Sequence, residues 1–353
     1  MPAHNIDSNE LIVIDGDTIQ DLLQHQEIQI VEAIQQAYEN HQRGKTVLPH
    51  SMFLRFPDNV KDRIIALPAF LGGEEETAGL KWVSSFPGNV ERGIERASAV
   101  LILNSMATGR PAAVLEASLI NAKRTAASAA LATRFLAPEN FTQLGLVGCG
   151  PIGFEIVRFI RATHPQLAEL FVFDLDPVKA AAFASRSEQA FPGLRAHVSG
   201  SLREVGEHVQ VLALSTTARD PYILDEADFG QASLVLNISL RDIAASLVLS
   251  SDNIVDDVDH VSREGTSIHL AELETGNRDF VRGTIGALTL GELPAKAAPG
   301  VRTIYSPFGL GILDLALGRF VLARALETGR GTPLKFFPAP WNGDGEARSA
   351  ATA

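Results

Sequence analysis

A strand-like run, Leu144–Val147, passes directly into Gly148-Cys149-Gly150-Pro151-Ile152-Gly153 and then into a helix-forming stretch. A G-x-G-x-x-G in that setting restricts the chain to few folds. Gly148 permits the tight turn, Gly150 lets the backbone approach a pyrophosphate, and Gly153 lets helix and strand pack closely. The helix opening at Pro151 and Ile152 aims free N–H groups and a partial positive charge at the phosphates. A second apolar run, Leu170–Phe173, ends at Asp174, 26 residues beyond Gly148. A carboxylate there accepts bonds from the adenine ribose hydroxyls and repels a 2′-phosphate. Asp174-Leu175-Asp176 carries no Arg, which favours NAD over NADP. Two more apolar runs, Val209–Leu214 and Leu234–Ile238, alternate with helical or looping stretches. That rhythm predicts an α/β chain with a Rossmann-type doubly wound parallel sheet.

The first third follows another pattern. Gln20–His41 carries a helical apolar stripe that stops at Arg43-Gly44. Strand-like runs follow at 51–56, 63–67, 80–84 and 97–104, without helices between them, so a partly antiparallel sheet is expected. Glu116–Leu136 reads as a long Ala-rich helix ended by Pro138. With 353 residues, two domains are expected. The polar, small-residue tail 342–353 is expected to be disordered.

With 30 basic and 42 acidic side chains, the net charge is −12. A general nucleic-acid binder needs the opposite balance. No apolar run reaches the roughly 20 residues that span a bilayer, so a cytoplasmic protein away from the membrane is expected. Cys149 is the single cysteine, and the nine histidines never fall at H-x-H or H-x-x-x-H spacing, so no disulfide or metal site is expected. There is no G-x-S-x-G, and Gly44-Lys45-Thr46 lacks the earlier glycine of a phosphate loop.

Three segments outside the glycine loop set polar groups among apolar ones. Lys81 lies in Gly79–Asn89, either on a solvated face or buried with a partner. Arg124 lies on the small-residue helix, able to present its planar fork to a carboxylate or to sit as a surface cation. Asp242 follows Asn237-Ile238-Ser239-Leu240-Arg241 at the carboxyl end of a late strand, where open α/β sheets bind ligands; capping the next helix is its plainer role.

Together these segments carry a resemblance. GLKWVSSFPGN, KRTAASAALA, GCGPIG followed by VFDLD, NISLRD and SPFGLGILD make the chain resemble the ornithine cyclodeaminase/μ-crystallin family over nearly its whole length. PHSMFLRFP, RIIALPAFLGG and SPFGLG look most like its siderophore-pathway branch, the NAD-dependent N-[(2S)-2-amino-2-carboxyethyl]-L-glutamate dehydrogenases that supply 2,3-diaminopropionate. The resemblance implies a homodimer with a discontinuous α+β substrate and dimerisation domain (1–130 plus 305–341) and an NAD-binding Rossmann domain (131–304). It implies that Lys81 is the active-site lysine, Arg124 the carboxylate-binding arginine and Asp242 the catalytic aspartate. Gly148, Gly150, Gly153 and Asp174 would hold the nucleotide, with Ser215, Thr216 and Thr217 along the cofactor.

Two departures bear on the substrate. The family's cyclodeaminases carry an Arg after the proline of Pro49-His50, and a Glu in the strand written here Arg63-Ile64-Ile65-Ala66-Leu67-Pro68, which has no carboxylate. Without that Glu an ornithine amine is not held and deprotonated. His50 would instead meet a bulkier, more anionic amino-acid-derived substrate, or serve structure. The expected activity is NAD-dependent oxidative cleavage of a secondary amine. Ornithine or lysine cyclodeamination, reduction of a ketimine or 2-oxo acid, and non-catalytic dinucleotide binding are the alternatives.

Overall fold

The computed structural model describes residues 9–295 and 300–338, so the tail expected to be disordered lies outside the described residues. Two eight-stranded sheets organise the chain.

The second sheet in chain order is parallel throughout. Its strands run Arg195–Val198, Glu169–Phe173, Gln143–Val147, Val211–Leu214, Leu234–Asn237, Thr303–Ser306, Asp252–Val255 and Val281–Thr284 across the sheet. The three strands Gln143–Val147, Val211–Leu214 and Leu234–Asn237 are almost wholly buried, as a sheet covered on both faces requires. Strand order reverses beside Gln143–Val147, which puts the glycine loop at the switch point where such sheets bind ligands.

The first sheet is antiparallel except where Glu10–Ile14 runs parallel to Pro111–Glu116. Asn59–Leu71, Thr77–Ser85 and Ala97–Asn104 form its centre, with Leu67 opposite Lys81 and Arg63 opposite Ser85. Helix Gly311–Glu327 packs on one face of this centre. Glycines allow the approach: a Cβ on Gly79 would lie 2.8 Å from Leu315 Cδ2. The long helix is Ser118–Leu136, and its small residues Ala126, Ala127, Ala129 and Ala130 are fully buried. It packs against helices Glu27–Gln42 and Pro151–Thr163, joining the two halves through one core.

Several expectations change. The stripe over Gln20–His41 is two helices, Gly16–Leu22 and Glu27–Gln42, because His25 between them has φ 58°, a conformation a right-handed helix cannot continue through. Both expected domain boundaries cut through elements: 130/131 falls inside helix Ser118–Leu136, and 304/305 splits strand Thr303–Ser306 of the parallel sheet. Short polar strands such as Arg195–Val198 carry no apolar run to announce them; pairing with Glu169–Phe173 makes them strands.

Candidate functional site

The glycine loop shows why each glycine is needed. Gly148 has φ +94°, and a Cβ there would lie 2.7 Å from the Ser215 carbonyl oxygen. A Cβ on Gly153 would stand 2.8 Å from the Gly148 oxygen, whereas the space beside Gly150 is open. Helix Pro151–Thr163 starts from Gly150 without a side-chain cap, so its first N–H groups are free for an anion. Gly148 N–H donates to the Phe173 carbonyl at 2.9 Å, and the Ser215 hydroxyl donates to the Gly148 carbonyl at 2.8 Å. Asp174 accepts the Cys149 N–H at 2.8 Å and the Asp176 N–H at 3.0 Å, which holds its carboxylate at the loop. An open cradle, free helix N–H groups and a fixed carboxylate fit a dinucleotide. The Cys149 thiol is pushed up to about 12, by burial first and then by Asp174, so it stays neutral and is no nucleophile.

Lys81 is buried with a partner. Its Nζ donates to Asp314 Oδ2 at 2.6 Å and to Asn121 Oδ1 at 2.9 Å, and only 2% of the residue is exposed. Arg124 Nε donates to Asp314 Oδ1 at 3.2 Å, and its Nη2 donates to Asn121 Oδ1 at 2.6 Å. One carboxylate therefore bridges two cations and leaves one positive charge in excess. Burial, then the Arg124 charge, pull the Lys81 amine down to about 8 against the opposing pull of Asp314. Asp314 and Asn121 carried no expected role, although Asp314 ends the SPFGLGILD segment and Asn121 stands two residues before KRTAASAALA. Asp314 stands 233 residues from Lys81, a distance no local pattern spans.

A cavity of about 160 Å³ opens between the two regions, lined by Arg124 and Asn121 on one side and by Ile152, Ile238 and Phe308 on the other. Gly309, at φ +92°, also lines it; a Cβ there would come within 2.6 Å of Arg124 Nη1. The turn is pinned by Asp256, which accepts the Phe308 and Gly309 N–H groups at 2.8 and 2.7 Å.

Asp242 is fully buried at the end of Leu234–Asn237. Its carboxylate accepts the Thr216 hydroxyl at 2.9 and 3.0 Å and the Tyr222 hydroxyl at 3.0 Å. Burial raises its pKa above the usual carboxylate range, against the pull of Ser239, Thr216 and Tyr222. It does not cap the following helix, which is Ala245–Leu249 with Ala244 as N-cap. A dry carboxylate with a raised pKa, held in one orientation, is suited to taking and returning a proton.

The sequence-predicted residues thus gather in separate sets. Lys81 and Arg124 meet at Asp314, the glycines meet Asp174 and Ser215, and Asp242 meets Thr216. Thr217 is exposed. His50 is exposed too, its ring centroid 5.3 Å from that of His260, which bonds Asp257 at 2.8 Å. Tyr222 is a further residue that sequence reading missed. Among the described residues no group of His, Cys, Asp and Glu is arranged to hold a metal ion, and no helix is long and apolar enough to cross a membrane.

Comparison with known proteins gives a consistent picture. The sequence model of the ornithine cyclodeaminase/mu-crystallin family matches residues 17–329. N-((2S)-2-amino-2-carboxyethyl)-L-glutamate dehydrogenase of Staphylococcus aureus is 32% identical over 87% of this chain and 93% of that protein. Alanine dehydrogenase of Archaeoglobus fulgidus is 28% identical over 93% of this chain and 99% of its own. Among solved structures, an archaeal alanine dehydrogenase dimer with bound NAD superposes with a TM-score of 0.83 at 27% identity, covering 93% of this chain and 100% of that one.

Proposed function

The chain belongs to the ornithine cyclodeaminase/mu-crystallin family, and within it we propose that it catalyses NAD-dependent oxidative cleavage of N-[(2S)-2-amino-2-carboxyethyl]-L-glutamate. It is an NAD-dependent oxidoreductase acting on amino acids, in line with its relatives. In the proposed reaction the substrate, NAD and water give 2-oxoglutarate, L-2,3-diaminopropionate, NADH and a proton. The observation that carries the reading is a cavity lined by Ile152 of the glycine loop and by Arg124 and Asn121, which bond Asp314 and Lys81.

Gly148, Gly150, Gly153 and the N-terminal turn at Pro151 and Ile152 would hold the pyrophosphate, and Asp174 the adenine ribose, with Ser215, Thr216 and Thr217 along the cofactor. Bound there, NAD supplies the hydride acceptor for the α-carbon of the glutamyl half. Arg124 and Lys81 would bind the carboxylate beside that carbon. Their excess positive charge over Asp314 is neutralised by one incoming carboxylate, which favours an acid end at this position. Asp242 would take the amine proton as the carbon–nitrogen bond becomes an imine. After returning that proton to the imine nitrogen it would deprotonate the water that adds to the iminium carbon and pass the proton to the leaving nitrogen, so that the carbon–nitrogen bond breaks to release the diamino acid. General base help of this kind contributes about 10²–10⁴-fold. His50, at the exposed rim, has at most a minor part in binding.

We further propose a cytoplasmic homodimer. On the face of the first sheet opposite Lys81, the register puts Met52, Ala66, Trp82 and Val100 in one row across four strands. Met52, Trp82 and Val100 are 67%, 43% and 40% exposed, a solvated apolar row that a second copy would cover.

Absorbance at 340 nm, followed on mixing the protein with NAD and this substrate, tests the reading. NADH accumulating with 2-oxoglutarate and 2,3-diaminopropionate, identified by mass spectrometry, is the expected result. A flat trace, with ammonia and a cyclic imino acid formed from ornithine instead, would replace it with cyclodeamination. NADH consumption on a ketimine or 2-oxo acid, with no oxidation of the amine, would replace it with a reductase.

A further inference from the structure

Five arginines, Arg63 and four that act on it, collect where the antiparallel sheet meets the loops that follow Val211–Leu214 and Leu234–Asn237. Arg55 and Arg63 are directly paired across strands Met52–Phe56 and Asn59–Leu71. Arg63 in turn faces Ser85, whose hydroxyl oxygen accepts a bond from Arg96 Nη1 at 2.8 Å. From the parallel sheet, Arg241 precedes Asp242 and donates to the Glu264 carbonyl at 2.7 and 3.1 Å. Arg219 follows strand Val211–Leu214 and lies within electrostatic reach of Arg63. Among the described residues, the one carboxylate in direct contact with the group is Glu264, at 2.7 Å from Arg55. Arg63 Nε is buried and makes no hydrogen bond.

Such a gathering is unfavourable by itself. Burial and the like charges of Arg241, Arg96, Arg55 and Arg219 all disfavour the charged form of Arg63. A chain of net charge −12 has acidic side chains in surplus, yet among the described residues only Glu264 pairs with this cluster, while Glu95 and Asp242 act on Arg96 and Arg241 from farther off. The sheet register shows what the cluster looks toward. Residues 63 and 67 share a face with residues 81 and 85, so Arg63 lies on the face that carries Lys81. Four residues of strand separate the two positions, roughly 13 Å. Two cationic residues on one face at that spacing match a small molecule with an acid at each end.

We infer that Arg63, Arg96 and Arg241 form a second anion subsite that binds a carboxylate remote from the reacting carbon, so that the enzyme selects amino di- and tricarboxylic acids. The inference rests on the proposed amine oxidation. Ornithine carries an ammonium at its far end, and this subsite repels it.

Two measurements test the subsite, and only one depends on turnover. The first compares kcat/KM for N-[(2S)-2-amino-2-carboxyethyl]-L-glutamate with kcat/KM for its two monoamides, one amidated at the glutamyl γ-carboxylate and one at the carboxylate of the aminoethyl arm. The wild-type enzyme is expected to prefer the acid over one of these amides by roughly tenfold or more, as loss of a charged hydrogen bond implies. In R63Q and R96Q that preference collapses toward unity; as a ratio within one variant, it is insensitive to a general loss of active protein. The second is calorimetric titration of NADH-loaded protein with propane-1,2,3-tricarboxylate, whose affinity should fall roughly tenfold in either variant. Amine turnover with the same acid preference in wild type, R63Q and R96Q overturns the subsite and leaves the reaction standing. No amine turnover, but tricarboxylate binding that depends on Arg63 and Arg96, overturns the reaction and leaves the subsite standing. If R63Q does not fold, R96Q decides both measurements.

Discussion

The glycine loop and the Lys81–Arg124–Asp314 site meet one cavity through Ile152 and Arg124 respectively, and they are built in different ways. The loop works through backbone: a φ of +94° at Gly148, free N–H groups at Ile152 and Gly153, and two positions where a Cβ would collide. Everything it needs apart from Asp174 and Ser215 lies within ten residues of chain. The cationic site works through buried side chains from strand Thr77–Ser85, helix Ser118–Leu136 and helix Gly311–Glu327, which only the folded chain brings together. A backbone site is fixed by local geometry and fails when a side chain is added. A buried ion cluster is fixed by charge balance and fails when a charge is removed.

The sharpest separation of the two comes from Asp242, which belongs to neither. Asp242→Asn keeps the shape and one accepting oxygen but removes the base; turnover should fall about 10²–10⁴-fold. Fluorescence titration should show NADH affinity within a factor of two of wild type, since the glycine loop is untouched. An active Asn variant would contradict the role assigned to this residue.

Asp314→Asn attacks the charge balance directly. It leaves Lys81 and Arg124 buried without their counter-ion, and breaking a buried pair in this way costs about 3–5 kcal/mol. Denaturant unfolding should register most of that loss, while Lys81→Met together with Asp314→Leu should recover a large part of it. Recovery of stability without recovery of activity would show that the cluster exists for binding. Equal stability of wild type and Asp314→Asn would break the comparison.

Gly148→Ala is the counterpart on the other side. The added methyl meets the Ser215 backbone and a φ of +94°, a strain of roughly 1–3 kcal/mol, so NAD should bind about tenfold to a hundredfold more weakly. Binding of a carboxylate ligand at Arg124, followed by calorimetry, should change little.

Acidity gives a smaller effect, with a defined sign. As a base, Asp242 must be ionised, so kcat/KM falls as pH drops through a pKa that burial holds above the usual carboxylate range. Lys81 must be charged to bind a carboxylate, so kcat/KM also falls as pH rises past about 8. A bound carboxylate favours the charged amine, so the alkaline limb of kcat should lie at higher pH than that of kcat/KM. Coincident alkaline limbs would remove Lys81 from the substrate's first contacts. His50→Gln is the mildest change: an exposed ring beside His260 should alter KM by about threefold at most, as surface substitutions do.

The same contrast explains what the sequence discloses. The glycine loop, the Asp174 acid and the parallel sheet are legible because their signals are local: glycines at fixed offsets after an apolar run, and a carboxylate at the end of the next strand. Lys81 and Arg124 can be singled out as cations in apolar settings. Their state cannot, because nothing near either residue announces Asp314. Tyr222 is hidden likewise, since its bond to Asp242 depends on how the loop after Val211–Leu214 returns to the sheet. The one-helix reading of Gln20–His41 fails for a local reason instead. The apolar stripe continues in phase across His25, and the left-handed turn there is not visible in residue type. The boundary at 304/305 divides Thr303–Ser306, which inserts between Leu234–Asn237 and Asp252–Val255, a matter of topology and not of composition.

The central claim is that one cavity brings the α-carbon of an amino-acid amine to the cofactor, held by Arg124 and Lys81. The direct test is turnover of N-[(2S)-2-amino-2-carboxyethyl]-L-glutamate deuterated at the glutamyl α-carbon, with products analysed by mass spectrometry. Deuterium recovered in NADH, together with unlabelled 2-oxoglutarate and 2,3-diaminopropionate, is the predicted result. Unlabelled NADH from the deuterated substrate, or deuterium retained in an amino-acid product, would contradict it.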